Sequence, residues 1–320
     1  MRLISLFTLL FVLTGAKSWE GFELQNACHI FNMKGETIKT FPGNYCQFLD
    51  DGSYISATGT ELSLFTKNRE QKWKIKGNFH HQVNFSQSKN EILVLSTLPI
   101  KRGKKTLYED HFLIVDLNGK IIKEIRSSEL IKQLGSLKDF SPTQITHFNS
   151  FYDIPSQSVD GLPSYVKEGN YIINAMDIGL IFLASDFKTI LHHEKFGLHQ
   201  IHDAQVLSNG KLLYFNNVAS PSMDNPFSAI EEFDLLTQRK TVLFESNPKQ
   251  MFFSPFRGGV QELDKDTILF SHILAGTYIY DLKKKEIILN EFKTHLFQDT
   301  FYPAQQVKAR NLKKFLGHWK

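Results

Sequence analysis

The sequence predicts an all-β fold made of repeated four-stranded units, and three observations support this prediction. Short runs rich in Ile, Leu, Val, Phe and Tyr alternate along the chain with polar turn residues. Similar units recur at spacings of roughly 35 to 65 residues. A helical pattern is evident only at Ser127–Leu134 (SSELIKQL), where Ser is the expected N-cap and a Glu follows.

Turn residues divide the chain into pairs of neighbouring strands. The turn signals are Asp51-Gly52, Lys89-Asn90, Asn118-Gly119, Asn209-Gly210 and Asp264-Lys265-Asp266. Asn-Gly and Asp-Gly are typical of tight hairpins because these residues readily adopt the positive φ angles of such turns. Consecutive strands are therefore expected to be antiparallel neighbours.

The repeated units predict a six-bladed β-propeller. The units begin near the following residues: Tyr45, Phe79, Thr146, Gln200, Arg257 and Pro303. Most continue into a second apolar pair of strands, and a four-stranded sheet repeated around an axis is a propeller blade. The last blade is expected to join both chain ends, with inner strands from Pro303–Trp319 and outer strands from Cys28–Phe41. A seven-bladed propeller and a pair of β-sandwiches remain alternatives, because the units diverge strongly.

The first 18 residues are predicted to be a signal peptide. Met1-Arg2 gives a short positive end, Leu3–Leu13 is apolar, and Ala16-Lys17-Ser18 offers small residues for cleavage. An apolar run of about 11 residues is shorter than the ~20 that span a bilayer, although an uncleaved anchor is the alternative. Residues 19–320 are then a single propeller domain, periplasmic or secreted, with no transmembrane anchor after cleavage.

Composition and cysteine content limit the environment and the partners. A chain of 320 residues with 42% hydrophobic residues can bury a core. In an oxidising compartment Cys28 and Cys46 can form a disulfide, with two buried thiols as the alternative. The net charge of +4 comes from lysines spread along the chain. Because they form no single basic face, no nucleic-acid partner is predicted.

Three histidines occupy matching positions in three successive units. Innermost propeller strands line the central channel, so these side chains are expected to converge: His81, His147 and His202. Strand alternation predicts that Asn149 shares a face with His147, and Gln200 with His202. Asp203 is expected to point away and to cap the turn or bond to a neighbouring blade. No carboxylate or Cys lies at a compatible register, so neither a metal nor another cofactor is predicted.

The order of these motifs resembles that of the bacterial arylsulfate sulfotransferase family. The resemblance rests on His147-Phe148-Asn149-Ser150 and Gln200-Ile201-His202-Asp203-Ala204, with His80-His81 upstream and Phe253-Ser254-Pro255 before GGVQEL downstream. It extends from about Phe79 to Tyr280. It implies a six-bladed propeller that transfers a sulfuryl group from a small aryl sulfate to a phenol without a nucleotide donor.

The resemblance also implies roles for individual residues. His202 corresponds to the family's nucleophile, which forms a sulfohistidine and divides the transfer into two displacements. His147 or His81 suits general acid–base catalysis because the pKa of imidazole lies near working pH, and His80 is a one-residue alternative to His81. Asn149 offers a donor to the sulfuryl oxygens.

The chain departs from the family pattern at one position. Where the family has an arginine, the stretch Asn174–Gly179 contains Met176, which cannot hold an oxyanion. Losing one such donor typically costs about 10²- to 10³-fold in rate. Arg257 is the candidate to replace it, and His80 and Gln200 are further candidates for substrate binding. The alternative function is a non-catalytic propeller that binds a small anion, a glycan or a protein in its channel.

Overall fold

A computed structural model of the protein describes most of the chain between residues 37 and 289. The described residues are 10–14, 27–31, 37–86, 88–135, 147–175, 178–195, 201–219, 227–245, 252, 254, 258–272, 276–289 and 305–307. Within these ranges there are 24 β-strands and one α-helix. The all-β prediction is confirmed.

The strands form six four-stranded sheets. In chain order, with semicolons between sheets, they are β1 (Leu10–Thr14), β2 (Ala27–Phe31) and β3 (Thr37–Pro42); β4 (Tyr45–Phe48), β5 (Tyr54–Ala57), β6 (Glu61–Phe65) and β7 (Gln71–Lys76); β8 (Asn78–Ser86), β9 (Glu91–Arg102), β10 (Lys105–Asp116) and β11 (Ile121–Arg126), followed by helix α1 (Ser127–Gln133); β12 (Phe148–Asp153), β13 (Tyr171–Ala175), β14 (Gly179–Leu183) and β15 (Ile190–Glu194); β16 (Ile201–Val206), β17 (Lys211–Asn216), β18 (Ala229–Asp234) and β19 (Arg239–Glu245); β20 (Gly259–Asp264), β21 (Thr267–His272), β22 (Gly276–Asp281) and β23 (Glu286–Leu289); and β24 (Gln305–Val307).

Five sheets are made of four consecutive strands each and are called blades 1 to 5, beginning with β4, β8, β12, β16 and β20. The remaining sheet, called the terminal sheet, has the order β24-β1-β2-β3. All neighbours that share a sheet are antiparallel, as in β1–β2 and β4–β5. The first strand of each blade lies at one edge of its sheet and contacts the first strand of the next blade. This arrangement is a β-propeller.

The hydrophobic core lies between consecutive blades. The described residues form four apolar clusters, and each cluster combines residues of two adjacent blades. Strand β13 shows why: Tyr171 and Ile173 belong to the cluster shared with blade 2, whereas Ile172 belongs to the cluster shared with blade 4. Successive side chains point to opposite faces of a strand. A blade buried on both faces therefore needs continuous apolar runs, as the sequence has.

The predicted turn residues lie between neighbouring strands, as expected. All five turn signals lie between consecutive antiparallel strands of one blade. Gly119 shows how a turn also serves the packing: its φ is +83°, and an added Cβ would lie 2.7 Å from the ring of Trp73. The Trp73 Nε1–H donates to the carbonyl of Leu117 at 2.9 Å, which joins blade 1 to blade 2.

The observed N-cap of helix α1 lies one residue before the predicted one. This N-cap is Arg126, which makes no side-chain capping bond, so the prediction of a Ser cap was wrong. The carboxylate of Glu109, on β10, instead accepts a bond from the backbone N–H of Ser128 at 2.9 Å. A buried acid from the neighbouring strand thus satisfies a donor of the first turn.

A disulfide connects the terminal sheet to blade 1. Cys28 of β2 and Cys46 of β4 are bonded, with their Cα atoms 6.2 Å apart. Phe41 of β3 reinforces the junction, because its ring centroid lies 4.9 Å from that of Phe48 and 5.0 Å from that of Tyr54. Of the two alternatives for the cysteines, the disulfide is the one present.

The predicted leader overlaps the terminal sheet. Residues 1–9 and 15–18 lie outside the described part of the chain, whereas Leu10–Thr14 forms β1 between β2 and β24. Cleavage near Ser18 would remove this strand. The predicted outer strands of the last blade correspond to β2 and β3, and the predicted inner segment includes β24. Among the described residues, no helix has the length and hydropathy required to cross a bilayer.

Candidate functional site

The innermost strands of blades 2, 3 and 4 are irregular at the level of the candidate residues. The pairing register shifts between Phe79 and Val83 in β8, between Phe148 and Ser150 in β12, and between His202 and Gln205 in β16. These are β-bulges, which insert extra residues into one strand and redirect its side chains. The strict alternation used to orient Asn149 and Asp203 from the sequence therefore does not hold there.

Two of the bulges contain residues in the left-handed region of backbone space. His81 has φ +59° and Asp203 has φ +54°. For residues other than glycine this conformation costs roughly 1–2 kcal/mol, and such residues are concentrated at functional sites. In β8 the left-handed residue is the candidate His81 itself, and in β16 it is Asp203, which directly follows the candidate His202.

Three histidines form a contact cluster between blades 2 and 3. Nδ1 of His80 lies 2.5 Å from Nδ1 of His81, and the ring centroids of His81 and His147 are 5.1 Å apart at an interplanar angle of 84°. All three side chains are half-buried. We call these three residues the histidine cluster.

A buried carboxylate supports the histidine cluster. Asp110, on β10, is 3% exposed. Its Oδ1 lies 3.1 Å from Nε2 of His80, and its Oδ2 accepts a bond from the backbone N–H of Phe148 at 3.2 Å. The sequence analysis considered only carboxylates at a matching strand register and therefore did not consider Asp110, which comes from a different strand of the blade. Within the described ranges, no group of three or more His, Cys, Asp or Glu has a metal-binding arrangement.

His202 is held in a defined tautomer by its own blade. Its Nδ1 lies 2.6 Å from Oδ1 of Asn217, and Nδ2 of Asn217 donates to the carbonyl of Ser254 at 2.8 Å. Because that carbonyl can only accept, the orientation of the Asn217 amide is fixed and Oδ1 faces the imidazole. The Nδ1 of neutral His202 therefore carries the proton, and Nε2 carries the lone pair.

Two asparagines of blade 3 hold the backbone next to His202. Nδ2 of Asn149 and Nδ2 of Asn174 both donate to the carbonyl of Ile201, at 3.1 and 2.6 Å. The Oδ1 atoms of both amides are buried and have no hydrogen-bond partner in the part of the chain that the structure describes. Asn149 thus joins the strand of His147 to the strand of His202, and it offers an unused acceptor in addition to its remaining N–H.

Asp203 connects four blades. Its Oδ1 accepts bonds from Gln82 of blade 2, at 2.5 Å, and from the hydroxyl of Tyr152 of blade 3. Its Oδ2 accepts a bond from the backbone N–H of Val260 of blade 5, at 2.8 Å. Burial raises the pKa of Asp203 to about 6, although all three donors lower it. The sequence-based expectation that Asp203 bonds to a neighbouring blade agrees with these contacts.

The candidate residues differ in burial: the histidine cluster is partly accessible, while His202 is 7% exposed and Asn149 is 2% exposed. Asn149, two positions after His147, bonds to the residue that precedes His202. Three other predicted positions, Gln200, Arg257 and Met176, lie outside the described residues.

Sequence reasoning missed several residues that position the site. Asn174 and Asn217 lie next to the ends of blade strands that are otherwise largely apolar, whereas Asp110 lies in the middle of β10. Asn174 interrupts the run YIINA, and Asn217 follows LLYFN. Polar residues at the ends of buried runs need hydrogen-bond partners. That signal was available, but it did not reveal which partners they contact.

Comparisons with known proteins address the fold alone. No family model matches the chain, and no curated protein matches it. A crystal structure of a protein of unknown function from Bacteroides caccae is 12% identical, with a TM-score of 0.59, and the match covers 94% of this chain and 100% of that chain. The Pan2 WD40 domain of Neurospora crassa is 12% identical, with a TM-score of 0.49, covering 83% of this chain and 74% of that one.

Proposed function

We propose that the protein is an exported aryl sulfotransferase that uses no nucleotide donor and has His202 as its nucleophile. The observation that carries the proposal is the hydrogen-bonded pair of His202 and Asn217, whose Nδ1–Oδ1 distance is 2.6 Å. In neutral His202 this pair leaves the lone pair on Nε2 and orients the ring, as a nucleophilic histidine requires. The motif resemblance supplies the substrate class.

In the first displacement, Nε2 of His202 attacks the sulfur of an aryl sulfate. The N–S bond forms and the S–O bond to the aromatic ring breaks, so the phenolate leaves with the bonding electrons. A protonated imidazole of the histidine cluster gives its proton to the departing phenolate. The protein then carries a sulfohistidine.

In the second displacement, the hydroxyl oxygen of an acceptor phenol attacks the same sulfur. A neutral imidazole of the histidine cluster takes the hydroxyl proton, the new S–O bond forms, and the N–S bond breaks with its electrons returning to Nε2 of His202. His81 and His147 are the candidates for both proton transfers, because their rings are in contact and half-buried. No proton or electron is left over.

The sulfuryl oxygens need hydrogen-bond donors. Asn149 retains one N–H after its bond to Ile201. Arg257 and Gln200 are the further candidates from the sequence. Among these three residues, Asn149 is the one whose placement supports a role in the site.

We further propose six blades in an exported, single-domain chain. The terminal sheet has four strands like the other five, which supports its assignment as the sixth blade in a chain that keeps β1. Cleavage near Ser18 would remove β1 (Leu10–Thr14), so that cleavage and a complete sixth blade exclude each other. The disulfide between Cys28 and Cys46 supports an oxidising compartment, the periplasm or the exterior. Sequencing the N-terminus of the exported protein tests the leader: a chain that still begins at Met1 would contradict cleavage near Ser18 and keep β1 in the terminal sheet.

One observation favours the alternative, a non-catalytic propeller that binds a ligand in its channel. One N–H of the Asn149 amide is already bonded to a backbone carbonyl, while its Oδ1 and that of Asn174 are buried acceptors with no partner among the described residues. Unused acceptors suit a ligand that donates hydrogen bonds, such as a glycan, better than a sulfuryl group.

The test is turnover of 4-nitrophenyl sulfate with a phenol as acceptor. We expect nitrophenolate release that requires the acceptor and is abolished in His202→Ala. His192→Ala is the matched control, since His192 stacks on Tyr165 outside the site and its loss should leave the rate unchanged. Absence of release with every phenol tried, or equal release by His202→Ala, would refute the sulfotransferase. Calorimetric titration with neutral oligosaccharides would then test the alternative.

A further inference from the structure

We propose that Asp110 and His80 are positioning residues that fix the tautomer of His81 and make its Nε2 the proton acceptor of the histidine cluster. The catalytic consequence rests on the proposed function, but the tautomer itself does not. Three contacts, taken in order from Asp110 to His147, carry the proposal.

The first contact sets the proton on His80. Oδ2 of Asp110 accepts the backbone N–H of Phe148, which leaves Oδ1 facing Nε2 of His80 at 3.1 Å. That ring nitrogen is buried and meets the criteria of a hydrogen bond with none of the described residues, so its contact with Asp110 is treated as electrostatic. A carboxylate oxygen at this distance favours a proton on Nε2 of His80. Neutral His80 then has its lone pair on Nδ1.

The second contact determines which ring nitrogen of His81 carries the proton. The two Nδ1 atoms lie 2.5 Å apart, a distance at which one nitrogen must donate and the other accept. Because Nδ1 of His80 carries the lone pair, Nδ1 of His81 is the donor. Neutral His81 therefore has its lone pair on Nε2, which is the tautomer required of a base at that nitrogen.

The bulge in β8 makes the second contact feasible. Neighbouring residues of a regular strand point to opposite faces, so their side chains cannot bond to each other. The left-handed backbone of His81, with φ +59°, places its ring 4.8 Å from that of His80. The conformational strain is thus explained by a specific interaction.

The third contact directs the base toward blade 3. The rings of His81 and His147 meet edge to face with centroids 5.1 Å apart. Asp110 also bonds to the residue after His147, so one carboxylate organises both strands. When Nε2 of His81 takes a proton from an acceptor hydroxyl, the O–H bond breaks, the N–H bond forms, and the positive charge is stabilised through His80 by Asp110.

Asp110→Asn is the sharpest test, because it should invert both tautomers. The amide oxygen must still accept the N–H of Phe148, so the amide NH₂ group will face Nε2 of His80. That nitrogen must then accept, the proton of His80 moves to Nδ1, and Nδ1 of His81 becomes the acceptor. The ¹⁵N shifts of labelled ring nitrogens, assigned by loss of signal in His81→Asn, report the change directly.

Matched variants separate this role from a merely structural one. Glu109→Gln changes a neighbouring buried acid that bonds to helix α1, and it should leave the tautomer of His81 unchanged. His80→Gln keeps an acceptor for Nδ1 of His81 and should preserve the tautomer, whereas His80→Leu should not. With aryl sulfate, we expect kcat to fall about 10²-fold in Asp110→Asn and His80→Leu and to be largely restored in His80→Gln.

The outcomes distinguish the two proposals. A proton on Nε2 of wild-type His81, or an unchanged tautomer in Asp110→Asn, would overturn the positioning role. If Asp110→Asn does not fold, the comparison of His80→Leu with His80→Gln decides the same question with Asp110 intact. The predicted tautomers in a protein that does not turn over aryl sulfates would support the positioning role and refute the sulfotransferase.

Discussion

Replacing Asp203 by Asn should change how the stability of the propeller depends on pH. Asp203 is 2% exposed and accepts bonds from Gln82, Tyr152 and Val260 of three other blades. Burial raises its pKa from 3.8 to about 6. The folded state therefore binds this proton more tightly than the unfolded state, and ionisation of Asp203 lowers the free energy of unfolding.

The magnitude follows from the two pKa values. One pKa unit corresponds to 1.36 kcal/mol, so ionisation of Asp203 costs about 3 kcal/mol in total. The stability contributed by the protonated form is fully present below pH 3.8 and is lost as the pH rises through about 6. About 1 kcal/mol of this change falls between pH 5 and pH 7.

Urea unfolding at several pH values, followed by tryptophan fluorescence, to which Trp73 between blades 1 and 2 contributes, measures this effect. The amide that replaces the carboxylate in Asp203→Asn cannot ionise. The wild type should therefore lose about 1 kcal/mol relative to this variant between pH 5 and pH 7, whatever constant offset the lost hydrogen bond causes. Asp160→Asn, an exposed carboxylate, controls for net charge. Parallel curves for wild type and Asp203→Asn, or a wild type that gains relative stability with pH, would refute the reasoning.

Three further predictions concern stability and are measured by the same unfolding assay. Changing both Cys28 and Cys46 to Ser should lower the free energy of unfolding by about 3 kcal/mol, as expected for a bond that spans 18 positions, and an unchanged value under oxidising conditions would contradict a stabilising role. Lys89→Met removes an ammonium group that lies 3.7 Å from the ring centroid of Tyr171 and donates to the carbonyl of Gly169. We expect the free energy of unfolding to fall by ~1–2 kcal/mol in this variant, and Lys89→Arg should restore part of the loss. Phe112→Ala should cost about 3–5 kcal/mol because the side chain is fully buried between blades 2 and 3, whereas Phe112→Leu should cost less than half as much.

The positions of the strands could be predicted because their signals are local. Turn pairs such as Asn209-Gly210 and the apolar runs beside them mark the hairpins of blades 1 to 5, whereas β1 falls in a run that the sequence predicts to be a leader. The helix shows the limit of such signals. Ser127 has the chemistry of a cap, but a bond from Glu109 of a neighbouring strand determines where the first turn is satisfied.

The site was harder to predict because its contacts cross strands and blades. Asp110 and His80 are 30 positions apart and meet only because β8, β9 and β10 share a sheet. The bulges also interrupt the alternation of side chains in β8, β12 and β16, next to the candidate residues. Asn149 is inserted between two paired residues, so its side chain reaches the carbonyl of Ile201. A single sequence gives no direct sign of such insertions.

In a chain that keeps its first 18 residues, the pairing of β1 with β24 determines when the terminal sheet can be completed. Leu10 and Val307 are register partners in the terminal sheet, although almost the entire chain separates them. Blades 1 to 5 consist of consecutive strands, so each can assemble while translation is still in progress. The last contact must wait until residues 305–307 have left the ribosome, and contacts between such distant segments form slowly. A nascent or C-terminally truncated chain will therefore have five complete blades and a terminal sheet that lacks β24. The unpaired edge of that sheet makes this form the one most exposed to proteases and to pairing with other chains.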